Sequence, residues 1–233
     1  MSTKDQMHAG HRRRLKQRYM DEGLDSFNQI NVLELLLFYC VQRKDTNPLA
    51  HRLLDRFGNL TQVLSASVPD LMQVDGVTEH IAIFLSMLSD LNRYCLVNLA
   101  TEVKILNTTS DCCKYITPYF AGRKNETVFL LCMDAKCKVL SCKLMGEGSV
   151  NSANVSIRKI VETAMKANAS SIIIAHNHPT GLAIPSEEDV RTTVQLNRAL
   201  RLMGIVLADH IIVADGECVS MVQSGIDFSS DRR

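Results

Sequence analysis

The 233-residue sequence predicts an all-α segment followed by a mixed α/β domain, in which a sheet carries helices on its faces. Three observations carry that reading. Up to Leu99 the apolar residues fall at helical spacing between helix start and stop signals. After Asn107, short β-rich runs alternate with helical stretches. The polar, turn-rich Asn107-Thr108-Thr109-Ser110 ends the segment that separates the two patterns. The expected organisation is an all-α domain over 1–100, a linker over 101–108 and an α/β domain over 109–233.

The elements follow in order. His11 to Arg18 carries Arg12, Arg13, Arg14, Lys16 and Arg18 on a first helix that ends near Gly23. This dense basic cluster reads as a solvated helix face, or as a weak nucleic-acid contact through Arg12, Arg13 and Arg14. Asn31 can cap a buried helix over Val32 to Tyr39. Asn47-Pro48 starts a third helix, which stops at Gly58. Short pieces over Leu60–Leu64 and Pro69–Val74 lead through Asp75-Gly76-Val77 into a long helix reaching Leu99.

In the second half a helix over Asp111 to Tyr119 precedes a buried strand, Glu126 to Asp134. A tight turn at Ala135-Lys136 joins it to a second strand, Cys137 to Met145. Ser156 caps a helix whose Ile157, Ile160, Val161 and Ala164 share one face. Then come the strand ending at His176, a helix over Ser186 to Met203, and closing strands over 204–214 and 218–222. Val128–Met133 and Ile211–Ala214 are candidates for exposed sheet edges.

Composition sets wide bounds. With 46% hydrophobic and 22% charged residues the chain can bury real cores, which excludes disorder as the default. A net charge of +1 gives no global pull toward nucleic acid or membrane, so such a partner would need a local patch. No apolar run approaches the roughly 20 residues that span a bilayer, and the polar start lacks the pattern of a secretory signal. A cytoplasmic protein with no membrane partner is expected. The eight cysteines form no C-x-x-C pair and read as buried reduced thiols. Cys112-Cys113 and the Cys137/Cys142 spacing leave a second metal site conceivable.

The stretch from Ile172 to Asp189 carries the chemistry. Three isoleucines end in His176-Asn177-His178, and side chains two apart on a strand share a face, so both imidazoles can reach one ion. A single histidine in a core strand is ordinarily structural; two on one face, with Asp189 returned by a short loop, reverse that expectation. Ser186-x-x-Asp189 is also a helix-start signature, and a cap would fix both side chains in place. Neutral imidazoles and a carboxylate suit a tetrahedral Zn2+, and three protein ligands leave the open position of a catalytic site. His210, after Asp209 on another strand, reads as a satisfied core histidine or a partner of a ligand. His8, His11, His51 and His80 have no metal-like neighbours.

His176-x-His178, seven intervening residues, Ser186 and then Asp189 three further on resemble the H-x-H-x7-S-x-x-D signature of the JAMM (MPN-domain) metallohydrolases. His-Asn-His-Pro-Thr-Gly, Pro185-Ser186 and Asp209-His210-Ile211-Ile212-Val213 resemble the RadC branch. Glu34-Leu35-Leu36 and Leu71 to Val77 are similar to the helix-hairpin-helix domain that accompanies that branch. There Thr78 stands in place of a second hairpin glycine, which crowds a close backbone approach to a phosphate.

The resemblance implies a JAMM-like sheet with the layering of cytidine deaminases, and zinc held by His176, His178 and Asp189. It implies hydrolysis of a peptide, isopeptide or other amide bond by zinc-hydroxide attack, on an unidentified protein or peptide. Glu126 matches the position of the general base, with Glu147, between Gly146 and Gly148, as the rival; Ser186 would stabilise the oxyanion. The other class of function is a nucleic-acid-binding, DNA-repair-associated accessory protein with a structural or idle zinc.

Overall fold

The computed structural model describes residues 3–42, 44–102, 104–148, 156–179 and 181–228, with the side chains of 3–9 excepted. The His8 side chain, Val103 of the expected linker and Thr180 of the histidine loop lie outside the described residues. Contacts divide the chain into two compact units, 1–92 and 93–233, with the division inside a long helix.

The first unit is helical throughout its described elements: α1 Thr3–Glu22, α2 Gln29–Cys40, α3 Asn47–Phe57, α4 Leu60–Leu64, α5 Val68–Met72 and the start of α6 Glu79–Ala100. Leu33, Leu37, Leu53, Leu71 and Leu85 are fully buried together in its core. The α2 cap is Asn28, not the expected Asn31: the Asn31 amide donates to the Asn28 side chain, so the helix starts earlier. Asn31 instead points its amide at Glu34, a fully buried carboxylate that also meets His11 Nε2 at 3.1 Å. That pair ties α1 to α2.

The hairpin glycine is required at Gly76, whose φ of +87° is a conformation L side chains rarely adopt. Arg52 Nε donates to the Asp75 carbonyl beside it, and Thr78 Oγ1 accepts from the Ile81 amide at the start of α6. Within the basic cluster, Arg12 packs over the Phe38 ring and donates to the Lys44 carbonyl. Arg13 and Arg14 are exposed.

The second unit adds α7 Thr109–Ile116, a 3-10 turn Thr117–Phe120, β1 Glu126–Met133, β2 Val139–Gly148, α8 Ile157–Lys166, β3 Ser171–Asn177, α9 Glu187–Leu202, β4 Val206–Ala214 and β5 Glu217–Ser220. Its five strands form one mixed sheet in the order β2-β1-β3-β4-β5. Only β3 and β4 pair in parallel, with α9 as the crossover between them. Here an expectation fails: Val128–Met133 and Ile211–Ala214 lie on interior strands, and the edges are β2 and β5. Apolar runs buried on both faces belong in the interior of a sheet.

The two faces bury different residues of the same strands. Val128, Leu130, Ile172, Ile174 and Ile212 meet Ile160 of α8 and Leu196 and Leu200 of α9. Phe129, Leu131, Ile173, Ala175 and Ile211 meet Cys112, Tyr115 and Ile116 of α7 and Phe120 of the turn after it. On this second face Cys113 of α7 is disulfide-bonded to Cys218 of β5, across 105 residues of sequence. The expectation of reduced thiols throughout is therefore corrected; Cys40, Cys95, Cys112, Cys132, Cys137 and Cys142 are free.

Leu130 has no exposed surface and belongs to the core of the first face. Leu130→Ala should lower the stability of the α/β unit by about 2–5 kcal/mol, from lost burial and an unfilled cavity. Denaturant unfolding of the full chain, followed by amide exchange of β1 and β3, measures it; a loss under about 1 kcal/mol would show that the face can collapse around the gap.

Candidate metal centre

β3 brings His176 to the end of a buried strand, pairing with Val128 of β1 and Ile212 of β4. His176 shares the face of Ile172 and Ile174 and is 2% exposed. His178 follows just past the strand, its amide donating to the Val213 carbonyl and its Nδ1 standing 3.0 Å from the Leu182 carbonyl. A carbonyl only accepts, so His178 Nδ1 carries the proton in that contact and Nε2 is turned inward.

Asp189 arrives from α9. Ser186 is the N-cap: its Oγ accepts from the Asp189 amide at 3.1 Å, while Asp189 Oδ2 accepts from the Ser186 amide at 2.9 Å and the Ser186 hydroxyl at 2.5 Å. This is a reciprocal capping box, and the acid lies at the positive end of the helix. Asp189 Oδ1 is 3.3 Å from His176 Nε2, Oδ2 is 3.6 Å from His178 Nε2, and the two Nε2 atoms are 2.9 Å apart. One donor atom from each of the three residues lies within 4.8 Å of the others, a grouping that could hold a metal ion. Among the described residues no cluster of this kind forms at Cys112-Cys113 or Cys137/Cys142.

Burial opposes ionisation of Asp189, but its contact with His176, together with the Ser186 hydroxyl and amide, outweighs it and holds the carboxyl below its usual range. His210 reaches His176 from β4, with His210 Nε2 2.7 Å from His176 Nδ1. Its other nitrogen is 2.5 Å from Thr193 Oγ1 of α9, and the Thr193 hydroxyl donates to the Asp189 carbonyl. Burial first, then the neighbouring His176, push the His210 pKa down to about 3. The sequence left His210 open between core and partner, and here it contacts His176, one of the candidate donors. Thr193 went unnoticed, although its place four residues after Asp189 puts both on one helix face.

The carboxylate candidates separate by face. Val128 is opposite His176, so Glu126, two residues earlier on β1, shares the face of His176 and lies toward His178. Glu147 is opposite Thr127, on the other face, and its carboxylate is 2.8 Å from Arg123 Nη1. Asn177 holds the backbone on both sides of Glu126: its Oδ1 accepts from the Thr127 amide at 2.8 Å and its Nδ2 donates to the Asn125 carbonyl at 3.2 Å. A cleft of about 350 Å³ opens beside His178, lined among others by Pro118, Arg123, Asn177, Pro179 and Ala214.

The pKa of His210 has a consequence for stability. Its folded value lies below the ordinary 6.5, so the unfolded chain binds a proton that the folded one refuses. Stability is full above about pH 6.5 and falls as pH drops from there toward about 3. Melting temperatures at about pH 7.5 and about pH 5 should differ less in His210→Leu than in the wild type, and equal differences would contradict this.

A model of the RadC-like JAB domain matches residues 106–226. The UPF0758 protein FN0909 of Fusobacterium nucleatum is 30% identical over 233 residues, covering 97% of this chain and 100% of that protein. A domain match over more than half the chain, on the strands and helix that gather His176, His178 and Asp189, leads to the conclusion that this chain belongs to the RadC family.

Proposed function

We propose that this protein is a zinc-dependent hydrolase of the JAMM type, acting on a peptide, isopeptide or other amide bond. The observation that carries the proposal is the convergence of His176 Nε2, His178 Nε2 and the Asp189 carboxylate within 4.8 Å. Two imidazoles and one carboxylate match the donor set of a catalytic zinc, and a three-residue set leaves a position for water or substrate. When bound, zinc would act as a Lewis acid and lower the pKa of water toward about 7.

The chain's own residues would do the rest. Glu126 is the proposed general base: it would take the proton of the attacking water and return it to the leaving amine. Its place on the His176 face supports this, as does the Asn177 clamp on its backbone. Glu147 is the weaker candidate because it lies on the opposite face and is paired with Arg123. Ser186 would steady the developing oxyanion by turning toward it the hydroxyl proton that in the structure is donated to Asp189. The cleft beside His178 would take part of a substrate on the Asn177 side.

Two measurements test the proposal. Elemental analysis should find zinc in the wild type and little in His178→Ala; equal content in both would sink the ligand assignment. In assays on a panel of peptide and isopeptide amides, Glu126→Gln should lose about 10²- to 10⁴-fold in turnover while keeping its zinc. Glu147→Gln should remain active, with a stability change within the roughly 0–1 kcal/mol of an exposed ion pair. Inactivation by Glu147→Gln, with Glu126→Gln unaffected, would reverse the assignment.

A further inference from the structure

We infer that Thr193 and His210 are positioning residues that set the tautomer of His176, so that its Nε2 presents a lone pair to the metal cluster. The consequence for metal binding rests on the zinc reading above, whereas the tautomer itself does not.

The polarity of the chain follows from counting protons. The Asp189 carbonyl can only accept, and Thr193 Oγ1 stands 2.5 Å from it, so the single hydroxyl proton of Thr193 is used there. Thr193 must then accept in its second short contact, and the proton of that contact belongs to His210 Nδ1. A neutral His210 has one N–H, already used, so its Nε2 is an acceptor. The proton in the 2.7 Å contact to His176 therefore lies on His176 Nδ1. Neutral His176 is left with a bare Nε2, the atom that faces His178 and Asp189.

The chain starts at the backbone of one candidate ligand and ends at the ring of another. Thr193, His210 and His176 are 1%, 4% and 2% exposed, so these bonds are shielded from bulk solvent. His178 reaches the same tautomer by a different route, through the Leu182 carbonyl. Each ring thus donates outward through Nδ1, the arrangement that fixes ring orientation in metal-ligating histidines.

Removing the Thr193 hydroxyl breaks the chain at its origin. In Thr193→Val the shape is kept, but His210 Nδ1–H loses its acceptor. The His210 proton can then move to Nε2, which forces the His176 proton onto its own Nε2, where it blocks coordination. Thr193→Ser keeps the hydroxyl and should restore the chain.

Two readouts on the full chain test this. Long-range proton–nitrogen NMR of the metal-free protein should show His176 as the Nδ1–H tautomer in the wild type and in Thr193→Ser, and a shifted tautomer in Thr193→Val. Competition with a chromophoric chelator should show zinc binding about 10- to 100-fold weaker in Thr193→Val and His210→Leu, and restored in Thr193→Ser. An Nε2–H tautomer of His176 in the wild type overturns the inference, even if a variant fails to fold. So does Thr193→Val with unchanged tautomer and affinity. If the wild type binds no zinc, the metal reading fails and the NMR result alone decides the relay.

Discussion

The Asp189 carboxylate closes the N-terminus of α9 with one oxygen and faces His176 with the other. The rest of the site depends on that double engagement. A buried carboxylate is costly unless its lone pairs are satisfied, and here the Ser186 amide and the Ser186 hydroxyl satisfy those of Oδ2, while Oδ1 is turned toward His176. The capping box contributes about 1 kcal/mol to the helix. Its larger effect is to fix the register of α9, because the residue that caps the helix also decides where the third donor lies. Thr193, one turn further on, is fixed by the same register.

The sheet sorts its polar residues by parity. On β3, His176 faces the α9 side, while Asn177 turns to the other and ties down β1 around Glu126. On β4, His210 shares the His176 side, while Asp209 takes the opposite one and accepts from Ser220 and the His210 amide. Neighbouring residues therefore serve separate networks without competing for partners. The parallel β3–β4 pair makes this possible, since it sets His176 beside Ile212 with α9 crossing over both.

What could be read in the sequence was local. His-x-His at a strand end and Ser-x-x-Asp at a helix start each declare their geometry through a fixed period, and the loop between them is too short to separate them far. The helix and strand order followed from the same periodicities. What could not be read depended on pairs distant in sequence. Cys113 and Cys218 meet only because α7 packs over β5. The choice between Glu126 and Glu147 turns on cross-strand register, including the irregularity after Val128, which no local pattern encodes. The role of His210 needed β4 to be placed next to β3. Asn28 and Asn31 are equally good caps by residue type, and Asn31 is drawn inward because Glu34 is buried one turn later.

The closeness of the two histidines gives the cluster its character. Their Nε2 atoms stand 2.9 Å apart, and in each ring the other nitrogen is engaged outward, with the Leu182 carbonyl or with His210. Two bare lone pairs at that distance repel, so the arrangement calls for positive charge between them. Ionised Asp189, beside both, favours the same thing. A divalent cation would meet the need, and it requires those lone pairs to be free. The outer contacts through Leu182, His210 and Thr193 engage the far side of each ring, so a cation placed at the centre would leave those hydrogen bonds as they are. A site that binds without rearranging its shell does not lose affinity to reorganisation, and placing the candidate donors on a strand end and a capped helix would have that effect.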